Sequence, residues 1–397
     1  MTALGQPRLS VAAAAIVLAL TGAALWVSGV KFALATLVGV LAGFALYHAA
    51  FGFTAGWRRF IRERRGAGLR AQLALVGATT LLAIPLIYYG DLLGIAAGGF
   101  VFPFGVAVIV GSFAFGLGMQ LGGGCGSGTL FTVGGGSSRM VITLVFFIFG
   151  GLLATYHWGF WQSLPRLPAV SFASTPLGPM GAVVLTLAVL GAIALLTWRM
   201  ETRRHGDIDA GRAMGSWVTG PWSLAAGAAV LTAVCVLTLL VLGRPWGITS
   251  GLTLWGAQIA NVAGVPVGEW DYWRYAMDQV NASVFASSTS VMNLGLIAGA
   301  AFAACLAGRY APKLNLSTRD VATAVIGGFL MGYGARIAFG CNIGAMLSGI
   351  ASGSLHGWGW FVFAFLGSIV GVRIREAIGM DPPREPVGPA PSLRTQS

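Results

Sequence analysis

Charged residues are scarce in this sequence. They make up 9% of its 397 residues, whereas 56% are hydrophobic, and soluble domains are usually about 25% charged. The composition therefore predicts an all-α protein that crosses a membrane several times. Each of the 12 acidic residues lies in or beside a gap between apolar runs, so no carboxylate lies mid-span. Proton relays and cation pathways usually need intramembrane Asp or Glu, and we expect neither here.

Cysteine is rare as well. The sequence contains no Cys-x-x-Cys and no His-Cys pair at a metal-binding spacing. We therefore predict no disulfide scaffold, no metal site, no cofactor and no catalytic residue set. Cys235 and Cys305 lie inside ordinary apolar runs, where a free cysteine behaves as a small apolar residue. Cys125 and Cys341 have a different context, which is described below.

The net charge of +12 would suggest nucleic-acid binding in a soluble protein. Here most arginines flank apolar runs, a distribution typical of the positive-inside bias of membrane proteins. We therefore interpret the charge as topology and predict a lipid bilayer, and no nucleic acid, as the partner.

Eleven apolar runs are long enough to be candidate membrane segments, because a helix needs about 20 apolar residues to cross the hydrocarbon. They lie near 11–30, 33–53, 69–90, 100–121, 139–158, 177–199, 222–243, 249–264, 284–307, 320–340 and 357–375.

The chain contains an internal duplication. "LGGGCGSGTL" at 121–130 matches "IAFGCNIGAM" at 337–346, which lies 216 residues later, and flanking glycines match at the same offset. We predict a first membrane repeat over 1–176, a linking helix and cytoplasmic loop over 177–221, and a second repeat over 222–376. The residues 377–397 are rich in Pro and polar side chains and predict a disordered cytoplasmic tail.

The positions of the arginines predict the topology. Basic gaps at 57–70, 199–212 and 308–319 and the basic end at 373–375 should all be cytoplasmic. They share one side if 33–53 and 249–264 are re-entrant and nine spans remain. Equivalent points are then five spans apart, which makes the two pseudo-symmetric repeats inverted. This scheme puts the N-terminus in the periplasm and the C-terminus in the cytoplasm.

Inversion would bring both Gly-Cys motifs to the bilayer midplane, where transporters with inverted repeats bind their substrates. Cys125 and Cys341 would contact the substrate, and Gly124, Gly340 and Ser127 would line the same path. Glycine lets backbone approach backbone or expose its N–H groups to a ligand. The alternative interpretation is that these glycines only permit tight helix packing.

Arg336 lies five residues before the second motif cysteine, and its repeat equivalent is Gln120. A guanidinium within a span is costly and is usually functional. Since no mid-span acid can pair with it, a backbone carbonyl or an anionic substrate would satisfy it. The alternative is that Arg336 extends to the membrane interface. Asn342 offers a neutral polar group beside the second thiol.

Two further features leave alternatives open. The polar run "NASVFASSTSVMN" at 281–293 either lines an entrance or caps the helix that follows. His48, His157 and His356 lie at or near the ends of apolar runs, so we expect them at the interface and not as ligands.

The paired Gly-Cys motifs, together with "GRPWGITSGLTLWGAQIA" at 243–260, resemble those of the YeeE/YedE family of bacterial inner-membrane sulfur transporters. The resemblance covers the chain to about residue 376. It implies thiosulfate uptake and an hourglass-like fold of nine spans plus short re-entrant helices. It also implies that Cys125 and Cys341 contact the substrate through S–H hydrogen bonds without covalent chemistry.

The sequence departs from the family at a third cysteine. Members of the family carry Phe-Cys-Phe followed by basic residues, whereas "AAFGFTAGWRR" at 49–59 has Gly52 between Phe51 and Phe53. Some relatives are linked to selenium metabolism, and this substitution is one mark by which such a branch could differ.

We therefore predict an inner-membrane permease, not an enzyme, that imports a small sulfur-containing anion, with thiosulfate as the first candidate. A soluble sulfurtransferase-like protein is a candidate partner. The alternatives are a membrane conductor of thiol–disulfide equivalents, a transporter of another sulfur or selenium species, and a soft-metal channel.

Overall fold

The computed structural model describes residues 6–312 and 314–381, and these residues are almost entirely helical. The one sheet among them pairs strands β1 (Pro103–Gly105) and β2 (Arg166–Ala169) in antiparallel fashion. The helices are α1 (Pro7–Ser28), α2 (Val30–Ala49), α3 (Phe53–Glu63), α4 (Ala67–Tyr89), α5 (Val106–Gly122), α6 (Gly126–Gly134), α7 (Ser138–Tyr156), α8 (Trp158–Ser163), α9 (Gly178–His205), α10 (Leu224–Leu242), α11 (Ile248–Val262), α12 (Met277–Asn281), α13 (Ser288–Leu306), α14 (Thr318–Ile337), α15 (Ser348–Ile350) and α16 (Leu355–Ala377), with a π-helical turn at Asn342–Leu347.

The described residues contain ten helical segments that are long and apolar enough to cross a membrane. The protein is therefore an all-α, multi-pass membrane protein, as the composition predicted. The count exceeds the nine spans expected from the sequence. The candidate segments are 7–28, 30–63, 67–93, 106–134, 138–156, 178–205, 224–242, 288–306, 318–350 and 355–377.

The extra segment is α2. The sequence analysis expected 33–53 to be re-entrant, whereas α2 is a continuous helix of 20 residues, or about 30 Å, which matches the hydrocarbon thickness. It ends where Ala50 adopts a left-handed conformation with φ of 46°. The short helix in this region is α3, which begins after Gly52. By contrast, α11 has 15 residues and is not among the candidate spans, in line with the expectation for 249–264.

Hydrogen bonds and ion pairs join the four arginine-rich gaps on one face of the bundle. We call this the basic face: it carries the connection between α3 and α4, the chain between α9 and α10, the connection between α13 and α14, and residues 378–381. The contacts that tie it together include Arg62–Glu376 (2.9 Å), Arg70–Glu201 (2.6 Å) and Arg319 to the Gly379 carbonyl (2.8 Å).

The beginning of the described chain also lies on the basic face. The backbone N–H of Gln6 donates to the carbonyl of Cys305 at 3.0 Å, and its side chain donates to the carbonyl of Tyr310 at 3.0 Å. Both ends of the described chain are therefore on one side, which an even number of crossings requires. The ten candidate spans differ in number from the nine expected, and the orientation of the N-terminus and C-terminus relative to the cytoplasm stays a prediction.

The first residues of the predicted tail, up to Asp381, are held by contacts with α16. Arg375 binds the carboxylate of Asp381 through two bonds, Nε to Oδ2 at 2.9 Å and Nη2 to Oδ1 at 2.7 Å. The remainder of the tail, 382–397, lies outside the described residues.

The two halves of the sequence use equivalent close contacts. α5 packs against α16, and α14 packs against α7. A Cβ on Gly116 would overlap the carbonyl oxygen of Ala364, and a Cβ on Gly332, its repeat equivalent, would overlap that of Phe147. At these positions the glycines serve tight helix packing, which is the alternative interpretation given above.

Four short segments turn back towards the middle of the bundle. α3 and α6 end near the basic face, where Arg62 meets Glu376 and Gly136 approaches Tyr310. α11 and α15 end near the opposite face, next to residues 281 and 352. This arrangement agrees with inverted repeats, which remain an interpretation.

Candidate substrate constriction

In each Gly-Cys motif, an extended cysteine follows a turn with positive φ and precedes a short helical segment. α5 ends at Gly122, the next residue Gly123 has φ of 95°, and Cys125 is extended (φ −82°, ψ −167°) immediately before α6. In the second motif Gly340 has φ of 153°, and Cys341 is extended (φ −111°, ψ −167°) before the π-helical turn. Residues with a Cβ rarely adopt such positive φ values, which accounts for glycine at 123 and 340. The repeat equivalent of Gly123 is Phe339, which has φ of 61°.

Both thiols lie over the first N–H groups of the short helices that follow them. The sulfur of Cys125 is within hydrogen-bond reach of the N–H of Gly128, and that of Cys341 is within reach of the N–H of Gly344. Gly128 and Gly344 are themselves repeat equivalents. The Cys125 sulfur also lies 3.5 Å from the hydroxyl oxygen of Ser127. Both cysteines therefore occupy matching positions at the start of a helix.

The two turns meet. A Cβ added to Gly126 would lie 3.0 Å from the sulfur of Cys341 and 3.7 Å from Cγ2 of Thr249, the second residue of α11. On the other side, the Cys125 sulfur lies near the backbone N–H of Phe53, the first residue of α3. Both cysteines are buried. The starts of α3, α6 and α11 and the second Gly-Cys turn thus enclose a narrow, closed point, which we call the constriction.

The polar side chains next to the constriction are incompletely bonded. Asn342 is fully buried, and neither its amide nitrogen nor its oxygen has a hydrogen-bond partner in residues 6–312 and 314–381. Gln120 is equally buried; it donates to the carbonyl of Thr54 at 3.3 Å, while its Oε1 has no partner there. Since more than about 90% of buried polar groups are bonded, these two amides suit a site visited by water or a polar solute.

At Gly124 and Gly340 a side chain would collide with neighbouring atoms of the same motif or of the helix packed against it. A Cβ on Gly124 would meet Cε of Met140 at 2.8 Å, and one on Gly340 would meet the backbone nitrogen of Ala345 at 2.8 Å. The absence of a side chain at these two positions is therefore explained by packing and turn geometry.

Arg336 is buried, at 8% exposure, but it does not touch the thiols. Its guanidinium lies 4.9 Å from the ring centre of Tyr272 and 5.5 Å from that of Trp158. Its Nε has no hydrogen-bond partner in the described part of the chain. Aromatic faces attract a cation, so the rings of Tyr272 and Trp158 stabilise this buried arginine. Gln120, its repeat equivalent, lies on the basic side of the constriction.

A cavity of about 680 Å³ opens on the face opposite the basic face. Arg244, Asp278, Tyr272 and residues 286–289 are among the residues that line it. Because Tyr272 also contacts Arg336, the cavity lies next to that arginine. A Cβ on Gly247, just before α11, would lie 3.7 Å from Thr289, so the cavity reaches the start of α11. The polar run 281–293 therefore lines an opening, and Ser287 also caps α13 by accepting from the N–H of Ser290. We call this cavity the vestibule.

Two of the three histidines expected at the interface, His48 and His356, are buried inside the protein. His356 is fully buried, and its Nε2 lies 3.2 Å from the carbonyl oxygen of Ala338 at the second turn. His48 is 3% exposed. Position 356 falls at the start of α16, and its repeat equivalent is Met140, so neither hydropathy nor the duplication indicated that it supports the turn. No group of three or more His, Cys, Asp or Glu side chains that could hold a metal occurs among the described residues.

A family model described as sulphur transport matches residues 48–370. The chain belongs to this family. The probable transporter YedE of Escherichia coli is 33% identical over 133 residues, which cover 34% of this chain and 33% of that protein. This chain thus matches about one third of the length of YedE.

Two family members named thiosulfate transporter TsuA match over longer stretches. The protein from Spirochaeta thermophila is 27% identical over 276 residues, or 66% of this chain and 76% of the relative. The protein from Escherichia coli is 27% identical over 349 residues, or 83% of this chain and 91% of the relative.

The family's third cysteine position has room for a side chain in this protein. A Cβ on Gly52 would approach only Ala55, at 3.8 Å from its Cβ and 4.0 Å from its nitrogen. The φ of Gly52 is −105°, which any residue can adopt. Phe51 and Phe53 flank it edge to face, with ring centres 6.2 Å apart. Neither backbone strain nor crowding of a Cβ therefore dictates glycine at this position.

Proposed function

We propose that this protein imports thiosulfate across the bacterial inner membrane through the constriction formed by Cys125 and Cys341. The observation that carries the proposal is the meeting of the two Gly-Cys turns between the vestibule and the basic face. Two relatives that are named thiosulfate transporters support the choice of substrate. Handover to a soluble sulfurtransferase on the basic face is part of the same proposal.

The chemistry of the constriction suits weak and sequential contacts. A protonated thiol is a weak donor and a poor acceptor, so it can contact the soft terminal sulfur of thiosulfate without holding it. Conduction requires that an ion bind well enough to enter and loosely enough to leave. In the proposed path, Arg336 supplies positive potential beside the vestibule, and the amide of Asn342 offers a neutral contact beside the second thiol.

The experiment is uptake of labelled thiosulfate by cells that lack their own thiosulfate transporters. The parent protein should support uptake, and Cys125→Ala or Cys341→Ala should abolish most of it at matched membrane expression. Cys305→Ala is the matched control, because Cys305 lies near the end of α13, where its carbonyl accepts from the N–H of Gln6, and it should leave uptake unchanged. Parent-like uptake by both motif variants would contradict a thiol-lined constriction.

The closeness of the motif cysteines also favours one alternative, a conductor of thiol–disulfide equivalents. In that case Cys125 and Cys341 would form a disulfide during turnover. Differential alkylation followed by mass measurement distinguishes the two functions, since a permease keeps both thiols reduced.

A further inference from the structure

We propose that Thr54 and Arg58 of α3 form a second anion-binding site, on the basic side of the constriction, for the sulfonate end of the substrate. This inference rests on the proposed import of thiosulfate. The ligand class is a small tetrahedral sulfur oxyanion, which offers several acceptor oxygens to hydroxyl, backbone and guanidinium donors.

The position of α3 places this site next to the first thiol. Gln120, near the end of α5, donates to the carbonyl of Thr54 at the start of α3, close to Cys125. From there α3 runs to the basic face, where Arg62 pairs with Glu376. Thr54 and Arg58 are four residues apart, so they lie on one face of the helix. At about 1.5 Å per residue, Arg58 is roughly 6 Å further from the constriction than Thr54.

Thr54 carries a buried donor that has no partner. Its side chain is 3% exposed, and its hydroxyl makes no hydrogen bond to any described residue. The side-chain amide nitrogen of Gln120 donates to the backbone carbonyl of Thr54 at 3.3 Å. The backbone carbonyl of Gln120 in turn accepts from Arg375 at 2.7 Å. The backbone of Thr54 is therefore fixed while its hydroxyl remains available to a ligand.

Arg58 supplies the charge. It lies near Arg62, Arg375, Asp381 and Glu63. Arg62 pairs with Glu376, Arg375 pairs with Asp381, and Arg59 pairs with Glu63. Among the described residues, no carboxylate lies within ion-pair distance of Arg58. A half-buried guanidinium whose neighbouring acids are already paired attracts a mobile anion.

The opposite side of the constriction lacks this cation. α11 approaches the constriction as α3 does, and Thr249 is its second residue, as Thr54 is in α3. Four residues further on, α11 carries Thr253, whose hydroxyl donates to the carbonyl of Thr249. The threonine is thus repeated beside both turns, whereas the arginine occurs only in α3, which predicts that the anion is held more firmly on the basic side.

The test measures thiosulfate transport in membrane vesicles of both orientations. Arg58→Gln and Thr54→Val should each raise the half-saturating thiosulfate concentration presented to the basic face, by about tenfold for Arg58→Gln, with less than a twofold change at the vestibule side. Arg58→Lys keeps the charge and should recover most of this loss. The control is Arg59→Gln, because Arg59 is exposed and pairs with Asp209 and Glu63.

Unfolding midpoints of the purified variants show whether each one is folded, and Arg58→Lys and Thr54→Val provide a second and third test if Arg58→Gln is not. If the parent, Arg58→Gln and Thr54→Val have the same half-saturating thiosulfate concentration at the basic face, the second site is refuted, while the proposed import of thiosulfate stands. A parent that moves thiosulfate in neither orientation would instead overturn the proposed function, and this inference with it.

Discussion

A single methyl group at Gly126 should close the constriction. In Gly126→Ala the new Cβ would lie 3.0 Å from the sulfur and 3.4 Å from the Cβ of Cys341. Unstrained carbon contacts are about 3.5–4.0 Å, so the second turn would have to retreat by about 0.5–1 Å. Overpacking of this kind costs about 1–3 kcal/mol. Alanine recovers about 0.4–1 kcal/mol by restricting the unfolded chain, so the fold should be only modestly destabilised.

Transport should suffer more than stability. If the same 1–3 kcal/mol is added to the barrier at the constriction, the rate falls by about 5-fold to 150-fold, since about 1.4 kcal/mol corresponds to a factor of ten. Gly128→Ala, whose Cβ would lie 3.4 Å from the sulfur of Cys125, should fall at the lower end of that range.

The assay is labelled thiosulfate uptake at matched membrane expression, with the unfolding midpoint measured in parallel. Gly52→Ala is the matched control, because its Cβ would meet nothing closer than 3.8 Å, and it should transport near the parent rate. Parent-like uptake by Gly126→Ala would show that the substrate does not pass between the two Gly-Cys turns.

Four further outcomes are expected. A reporter inserted near Asp271 should read periplasmic, and one after Arg375 should read cytoplasmic. Finding both reporters on one side would contradict the predicted topology. A reporter ahead of α1 should read the same side as the one after Arg375, and the opposite side would contradict ten crossings. Gly52→Cys should alter thiosulfate transport more than Gly52→Ala, since it adds a donor; equal rates would exclude a role for that position. Arg375 lowers the pKa of Asp381 by hydrogen bonding to its carboxylate, so this contact stabilises the fold above the ordinary carboxyl pKa and is lost as the pH falls through the lowered value. The unfolding midpoint of Asp381→Asn should therefore lie below that of the parent at neutral pH and converge with it in acid, and a constant difference would refute the linkage.

The sequence predicted the constriction better than it predicted the path of the chain. Two cysteines in matching glycine contexts, 216 residues apart, indicated that Cys125 and Cys341 share a role, and the two turns do meet. Hydropathy did not show that an apolar helix ends at Ala49 and that a separate helix begins at Phe53. Only three residues separate them, and a sliding window averages over such a break.

Residues that act through burial were the hardest to predict. His356 lies at the end of an apolar run in the sequence, and its contact with the carbonyl of Ala338 depends on how α16 packs against the second turn. The open hydroxyl of Thr54 is likewise evident only when the bonding of the surrounding groups is known. Composition and periodicity carry no information about which polar groups lack a partner after packing.

The constriction is symmetric in its thiols and backbone but asymmetric in charge. The carbonyl oxygens at the end of α5 carry the negative end of the helix dipole towards the path of an anion. Arg139 donates to two of them, those of residues 121 and 122, at 2.7 and 3.0 Å, and Arg375 donates to that of residue 120 at 2.7 Å. At the second turn, His356 contacts the carbonyl of residue 338, the repeat equivalent of residue 122, and Trp360 donates to the carbonyl of residue 340. Arg336 lies among aromatic rings on that side and makes none of these contacts. Two arginines therefore offset the repulsion of an anion on the basic side of Cys125, and nothing equivalent does so beside Cys341 among the described residues. In the proposed pathway, these contacts would make an anion more favourable on the basic side of Cys125 than beside Cys341.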